Sequence, residues 1–345
     1  MFLLYLLYDF LTILLHCSVY FYHVNRYTHR SSHSKLSAIT EVTTIMKRCL
    51  LILLCLSGLS GVIISPAISA QADTMPVSKL ALDAKTGHVY QEENASTVRP
   101  IASISKLFTV YFALQKIHQG KLKLTDTVMA PENIASLSQD SRLANVPLQA
   151  GKKYSVRDLL YTSLIHSANS SVLLLAQKMF GSQEKAVKQI NHQAHVWHLK
   201  HYQLVNVTGL NNDLIGDLRV PGTPEDAENK MSAQDVATVA RQTLSHYGDQ
   251  LLSIASEPRV PFDLSGSVPT ENRMLPTQPD HFDDTPVDGL KTGSSEGAGN
   301  CFVGTAKKHH HRVITVVLGA DYANKNQVFQ ITHQLFTSSF QKITQ

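Results

Sequence analysis

The sequence predicts an α+β fold: an antiparallel sheet flanked by helices, plus a mainly helical lobe, with a site in the cleft between them. Three observations predict it. Strand-like segments stand at both ends of the chain, at 77–90 and 290–320. Residues 120–245 between them carry repeated helix start and stop signals. The run Leu107–Ile117 (LFTVYFALQKI) is apolar on nearly all sides, which marks a buried helix. Strands from distant segments, with helices inserted between them, imply one sheet closed by the two chain ends.

The chain has 345 residues, and the first 72 read as outside the folded protein. Met46 is followed by Lys47 and Arg48, an apolar run from Cys49 to about Ile64, Pro66, and the small-x-small site Ala70-Gln71-Ala72. That order predicts a secretory signal peptide at 46–72, a mature chain starting near Asp73, and export. Residues 1–45 read as an extension upstream of a true start at Met46, or as an extra apolar segment interrupted by Asp9 and His16. After residue 72 no apolar run reaches the ~20 residues of a bilayer span, so no transmembrane segment is expected in the mature chain. Cys301 is then the single remaining cysteine, read as a buried core residue with no disulfide partner. The whole chain carries 31 Lys and Arg against 27 Asp and Glu, and removing the leader leaves it near neutral. With no basic aromatic stripe, nucleic acid is not an expected partner.

The elements follow in order. Val77–Asp83 alternates apolar and polar residues and His88–Tyr90 resumes the pattern, a hairpin whose turn needs a positive φ at Gly87. Ser155-Val-Arg-Asp158 starts a helix through Ile165, and Ser171–Phe180 forms another, stopped by Gly181. Ser232-Ala-Gln-Asp235 caps a helix reaching about Ser245, after a Pro-, Asp- and Asn-rich stretch from Thr208 to Asn229. Six prolines between Glu257 and Asp288 predict extended loops and edge strands. Leu290–Gly293, Cys301–Ala306 and Val313–Ala320 read as strands, the last two joined by a Lys-Lys-His-His-His turn, and Asn324–Phe340 as a closing amphipathic helix.

Three short strings carry the chemistry. Ser103 and Lys106 stand three apart at the head of the apolar helix, a spacing that puts both on one face. A serine hydroxyl needs a base beside it to act as a nucleophile, and a lysine at the head of a buried helix is either paired or functional. Lys106 must lose its proton to serve, and burial with a second cation, Lys291, would both favour that. Ser105 points elsewhere, so Ser103 is the nucleophile candidate. Ser167-Ala-Asn169 lies between two helices, where Ser167 relays a proton and Asn169 bonds a substrate amide. His166 beside it has no G-x-S-x-G elbow to make it part of a Ser-His-Asp triad. Lys291-Thr292-Gly293 lies on a strand edge, where the lysine and the threonine hydroxyl suit a substrate carboxylate and Gly293 admits a bound peptide backbone. The N–H groups of Ser103 and Ser294 are the candidate oxyanion hole. A second Lys-Thr-Gly string, at Lys85–Gly87, precedes Ser103 and reads as turn chemistry.

In this order and context (RPIASISKLFT, YSVRDLLYTSLIHSANSS, VNVTGLNND, VDGLKTGSSEGAGNCFVGTA), the strings resemble the serine D-alanyl-D-alanine carboxypeptidases among the low-molecular-mass penicillin-binding proteins. The resemblance covers roughly residues 77–321. It implies a β-lactamase/penicillin-binding-protein-like catalytic domain over 73–345, acting at the cell-wall face of the cytoplasmic membrane. It also implies attack by Ser103 on the penultimate D-Ala carbonyl of a peptidoglycan pentapeptide, with release of D-Ala, and covalent inhibition by β-lactams. A D,D-endopeptidase or β-lactamase on the same fold, or a non-catalytic wall-binding protein, stands as the alternative. No E-x-x-L-N string follows Asn169, which argues against a class A β-lactamase, and the three key residues are all present, which argues against loss of turnover. The run Lys307–Arg312 (KKHHHR) reads as a solvated hairpin tip suited to anionic wall polymers. Consecutive histidines in a turn do not converge on one ion, so no metal or other cofactor is expected.

Overall fold

The computed structural model describes residues 76–344, so the predicted signal peptide at 46–72 and the segment 1–45 lie outside the described residues. The main sheet has five strands: β1 (Ser78–Asp83), β2 (Val89–Glu93), β3 (Val287–Ser295), β4 (Gly299–Lys308) and β5 (His311–Ala320). Their spatial order is β3-β4-β5-β1-β2, with every neighbouring pair antiparallel. The N-terminal hairpin therefore completes a sheet begun by the C-terminal strands, as the two distant strand-rich segments predicted. Six main helices are α1 (Lys106–His118), α2 (Val156–Ile165), α3 (Asn169–Phe180), α4 (Gln183–Val196), α5 (Ala233–Ala255) and α6 (Gln327–Ile343).

Alternation along each strand divides the core in two. Leu80, Leu82, Val303, Ile314, Val316 and Leu318 face the helical lobe. Ala81, Phe302, Ala306, Val313 and Val317 face the other way, onto Phe329, Phe336 and Phe340 of α6. The sheet is thus covered on both faces, by α6 on one side and by α5 and the helical lobe on the other. The lobe is built around α1, in which every residue from Lys106 to Leu114 is buried. Each large apolar side chain buried there contributes about 1.5–3 kcal/mol.

Local signals explain most boundaries. Ser155 Oγ accepts from the Asp158 N–H at 3.1 Å and Ser232 Oγ from the Asp235 N–H at 3.1 Å, so both predicted caps start their helices. Gly181 ends α3 in the left-handed region, φ +85°. In the first hairpin Asp83 Oδ1 accepts from the Lys85 and Thr86 N–H groups at 3.0 and 2.7 Å, and Gly87 has φ +77°. The early Lys-Thr-Gly string is turn chemistry. Strand β3 starts three residues before the expected Leu290, helix α6 lies three residues later than expected at both ends, and two further helix boundaries differ for visible reasons. Helix α3 begins at Asn169 rather than Ser171, because Asn169 and Ser170 are tied to the 144–146 backbone. Helix α5 continues past Ser245 to Ala255 through a kink at Tyr247, because Leu251, Ile254 and Ala255 beyond the kink are buried. Within the proline-rich stretch, Arg259–Phe262 and Gly266–Pro269 pair as a small hairpin.

Candidate active site

Ser103 lies in a turn of 3-10 helix, Ala102–Ser105, directly before α1, whose first residue is Lys106. Side chains three apart eclipse in a 3-10 turn, which aligns the pair more closely than the α-helix the spacing suggested. Lys106 Nζ sits 2.6 Å from Ser103 Oγ. Ser105 Oγ turns back to donate to the Ala102 carbonyl at 2.7 Å, so it takes no part in the site.

Lys106 is fully buried, and its Nζ donates to Asn169 Oδ1 and to the Thr208 carbonyl, both at 2.8 Å. Burial, and secondarily the charge of Lys291, hold the Lys106 ammonium well below the ordinary lysine range. A neutral amine has two N–H donors and one lone pair. Two neighbours here are oxygens that only accept, so they take both donors. The lone pair is left for the third neighbour, the hydroxyl of Ser103, which is the arrangement a general base needs.

Asn169, at the head of α3, is 1% exposed. Its Oδ1 receives Lys106, while its Nδ2 and backbone N–H both donate to the Ala144 carbonyl at 3.0 and 2.9 Å. Both ends of the amide are committed within the protein, so the side chain orients Lys106 and pins the 144 loop. The Nδ2 amide has a second N–H besides the one given to Ala144, and that is the donor left for the expected bond to a substrate amide. Ser167, two residues earlier, adopts φ +64° and lines the cleft together with Ser103. His166 donates from Nδ1 to the Pro269 carbonyl at 3.0 Å and lies 3.9 Å from Glu271, a structural tie between α2 and the 269–271 loop.

Strand β3 supplies the opposite wall. It is an edge strand, so its outward N–H groups have no strand partner. Lys291 and Gly293 lie on one face of it and Thr292 on the other. Lys291 is 1% exposed and donates to the Thr292 carbonyl at 2.9 Å. Burial pushes its ammonium down to about 7, against the opposing pull of Glu271. Thr292, Gly293 and Ser294 line the cleft with Ser103 and Ser167, whereas Lys291 lies beneath that surface. Gly293 is packed against the turn that carries Ser103: a Cβ there would stand 2.7 Å from the Ile101 carbonyl oxygen. Ser294 Oγ donates to Asn300 Oδ1 at 2.8 Å. Cys301 is buried in the wall, where burial pushes its thiol up to about 11.

Residues 66–322 match the family model of D-alanyl-D-alanine carboxypeptidases. The chain belongs to this family. Among curated relatives, the D-alanyl-D-alanine carboxypeptidase DacF of Bacillus subtilis is 28% identical over 84% of this chain and 70% of its own length. DacC of Escherichia coli is 30% identical over 74% of this chain, which spans 58% of that relative's length. Among solved structures, a peptidoglycan synthesis regulatory factor (PBP3) from Streptococcus pneumoniae is 37% identical, with TM-score 0.72 over 76% of this chain and 72% of that one. Cefotaxime-bound penicillin-binding protein D2 from Listeria monocytogenes is 26% identical, with TM-score 0.63 over 76% of this chain and 96% of that one. The fold is that of the penicillin-binding proteins.

Sequence reasoning quoted Val205–Asp213 among the strings of the resemblance but assigned this segment of the carboxypeptidase site no role. The Thr208 carbonyl that receives Lys106 is held by Asn206, whose Oδ1 accepts from the Thr208 and Gly209 N–H groups at 3.1 and 2.8 Å and from the Thr208 hydroxyl at 3.0 Å. Gly209 has φ +81° and presses against the Ala102 carbonyl, where a Cβ would collide. The signal was a glycine inside an Asn-rich stretch, which marks a constrained turn but not what it faces.

Proposed function

We propose that this chain is a serine D-alanyl-D-alanine carboxypeptidase that forms an acyl-enzyme on Ser103. The observation that carries the reading is the trio of oxygens around Lys106 Nζ, of which only the Ser103 hydroxyl has a proton to give. Ser103 Oγ attacks the carbonyl carbon of the penultimate D-Ala while Lys106 takes its proton. The C–N bond then breaks, the proton passes through Ser167 to the departing D-Ala amine, and an ester remains on Ser103. Water hydrolyses that ester, with Lys106 again accepting a proton. The N–H groups of Ser103 and Ser294 stabilise the oxyanion. Thr292 receives the substrate carboxylate, with the positive charge of Lys291 lying below it. A β-lactam acylates the same serine. The chain is exported by the segment 46–72 and works on peptidoglycan stem peptides outside the cytoplasmic membrane.

The test uses a fluorescent penicillin and a pentapeptide ending in D-Ala-D-Ala, with Ser103→Ala and Ser105→Ala alongside. Wild type and Ser105→Ala label covalently and release D-Ala, and Ser103→Ala does neither. Labelling that persists in Ser103→Ala overturns the assignment of the nucleophile. Rapid penicillin hydrolysis without D-Ala release makes the protein a β-lactamase instead.

A further inference from the structure

Two basic strings remain outside this chemistry, the early Lys85-Thr86-Gly87 turn and the KKHHHR tip, and the fold brings them together. They form two walls of one groove, and α5 forms the third. Lys85 comes from the β1–β2 hairpin, Lys307, His310 and Arg312 from the β4–β5 hairpin, and Arg241 from α5. The Arg241 guanidinium lies against Gly87, 3.1 Å from where a Cβ would stand, so any larger residue at that turn would displace it. Among the described residues lining the groove, Asp249 is the single carboxylate. Arg312 is neutralised by a bidentate pair with Asp288 at 2.8 Å. Among the described residues Lys85, Arg241 and Lys307 make no ion pair, in a folded unit that is near neutral as a whole.

The groove lies at the far end of the sheet from the reactive serine. Strand β4 runs from Asn300, beside Ser294, to Lys307, roughly 20 Å at about 3.3 Å per residue. The geometry points to a second binding site here, for a linear phosphodiester-linked polyanion. Three cations converging from separate elements without counter-ions raise the local anion concentration and favour a chain of evenly spaced charges. The concave shape fits a polymer strand, and none of the exposed large apolar side chains lines the groove, so it lacks the wedge a lipid surface would need. Such a site tethers the enzyme to an anionic polymer while the cleft, on the same sheet, stays free.

The probe is fluorescently labelled poly(glycerol phosphate), titrated at several salt concentrations. The comparisons are phosphatidylglycerol/phosphatidylcholine vesicles and monomeric glycerol phosphate. Wild type binds the polymer, with affinity falling steeply as salt rises. The triple variant Lys85→Glu, Arg241→Glu, Lys307→Glu binds at least tenfold more weakly, and its salt slope flattens by about two to three, at about 0.7–0.9 per phosphate contact. Single reversals at Lys85 and Lys307 each flatten it by about one. The control pair Lys121→Glu, Lys178→Glu leaves binding unchanged. Penicillin labelling is read in the same samples, so failure of the catalytic reading and failure of this one are separable. An equal loss in the control pair, no polymer binding by wild type, or binding to vesicles without binding to free polymer overturns the proposal.

Discussion

Gly293 and Ile101 are packed so closely that no side chain fits between strand β3 and the turn that carries Ser103. A Cβ on Gly293 would stand 2.7 Å from the Ile101 carbonyl oxygen and 3.2 Å from the Ile104 N–H nitrogen. Both are backbone atoms flanking Ser103, so relief of the clash must move the strand or the turn. The glycine sets the width of the cleft from inside the protein.

Gly293→Ala is therefore expected to damage stability and acylation together. Overpacking a rigid contact of this kind costs about 1–3 kcal/mol, a fall in Tm of several degrees for a domain of this size. Penicillin acylation should fall further than stability does, because Ser103 moves relative to Lys106 and Ser294. Calorimetry and acylation kinetics on one preparation check this. A variant with native Tm and native acylation would show that the contact relaxes at no cost.

Asn169→Asp probes the proton on Lys106. The substitution keeps an oxygen where Oδ1 receives Lys106 Nζ but gives it a negative charge. A carboxylate at that distance favours the ammonium, whereas the base must be the neutral amine. The acidic limb of the acylation rate against pH should move to higher pH, with a loss of roughly tenfold or more at neutral pH that is recovered in alkali. A profile scaled down without displacement would mean that Asn169 serves only to hold the 144 loop.

The sheet, the helical lobe and the three strings were legible because each rests on local pattern. Period-two alternation placed β1, short apolar runs placed β4 and β5, and side-chain caps placed the starts of α2 and α5. The false Lys-Thr-Gly string was separated from the one at Lys291 by its place before Ser103, at the tip of the first hairpin, and Gly87 in that turn has φ +77°. What the pattern does not carry is which carbonyl meets which ammonium across the fold. The Thr208 oxygen is backbone, identical in every residue type, so no sequence feature marks it as a partner of Lys106. The inward commitment of Asn169 was hidden for the same reason, since its second partner is the Ala144 carbonyl. Gly293 was visible as a glycine, but the atoms that require it belong to a segment nearly two hundred residues earlier.

Asn206→Ala tests that hidden segment. The change removes the acceptor for three donors in a buried turn, and each donor left unsatisfied costs about 1–3 kcal/mol. A net loss of about 2–4 kcal/mol is expected once the turn relaxes. The Thr208 carbonyl then drifts from Lys106 and acylation falls with it. Thr208→Ala, which keeps the backbone carbonyl and removes the hydroxyl and the γ-methyl, should retain most of the activity. Equal damage from both variants, by Tm and by acylation rate, would place the importance of the segment in the side chain.

Lys291 connects the site to the stability of the fold through pH. Its ammonium titrates near 7 in the folded protein because it is buried, against about 10.4 in an unfolded chain. Below pH 7 both states hold the proton, and the folded state bears the full cost of burying the charge. Between about 7 and 10.4 the folded state has released the proton while the unfolded state keeps it, so stability rises with pH by up to about 1.4 kcal/mol per unit. Lys291→Met removes the titration and leaves an apolar chain of similar length in a buried space. The variant should be more stable than wild type at pH 6, and that advantage should shrink steadily towards pH 10, although penicillin acylation is lost at every pH. Urea denaturation of both proteins at pH 6, 8 and 9.5 measures the difference directly. A gap between them that does not change with pH would show that Lys291 keeps its proton throughout, held by charges such as Glu271 that outweigh its burial.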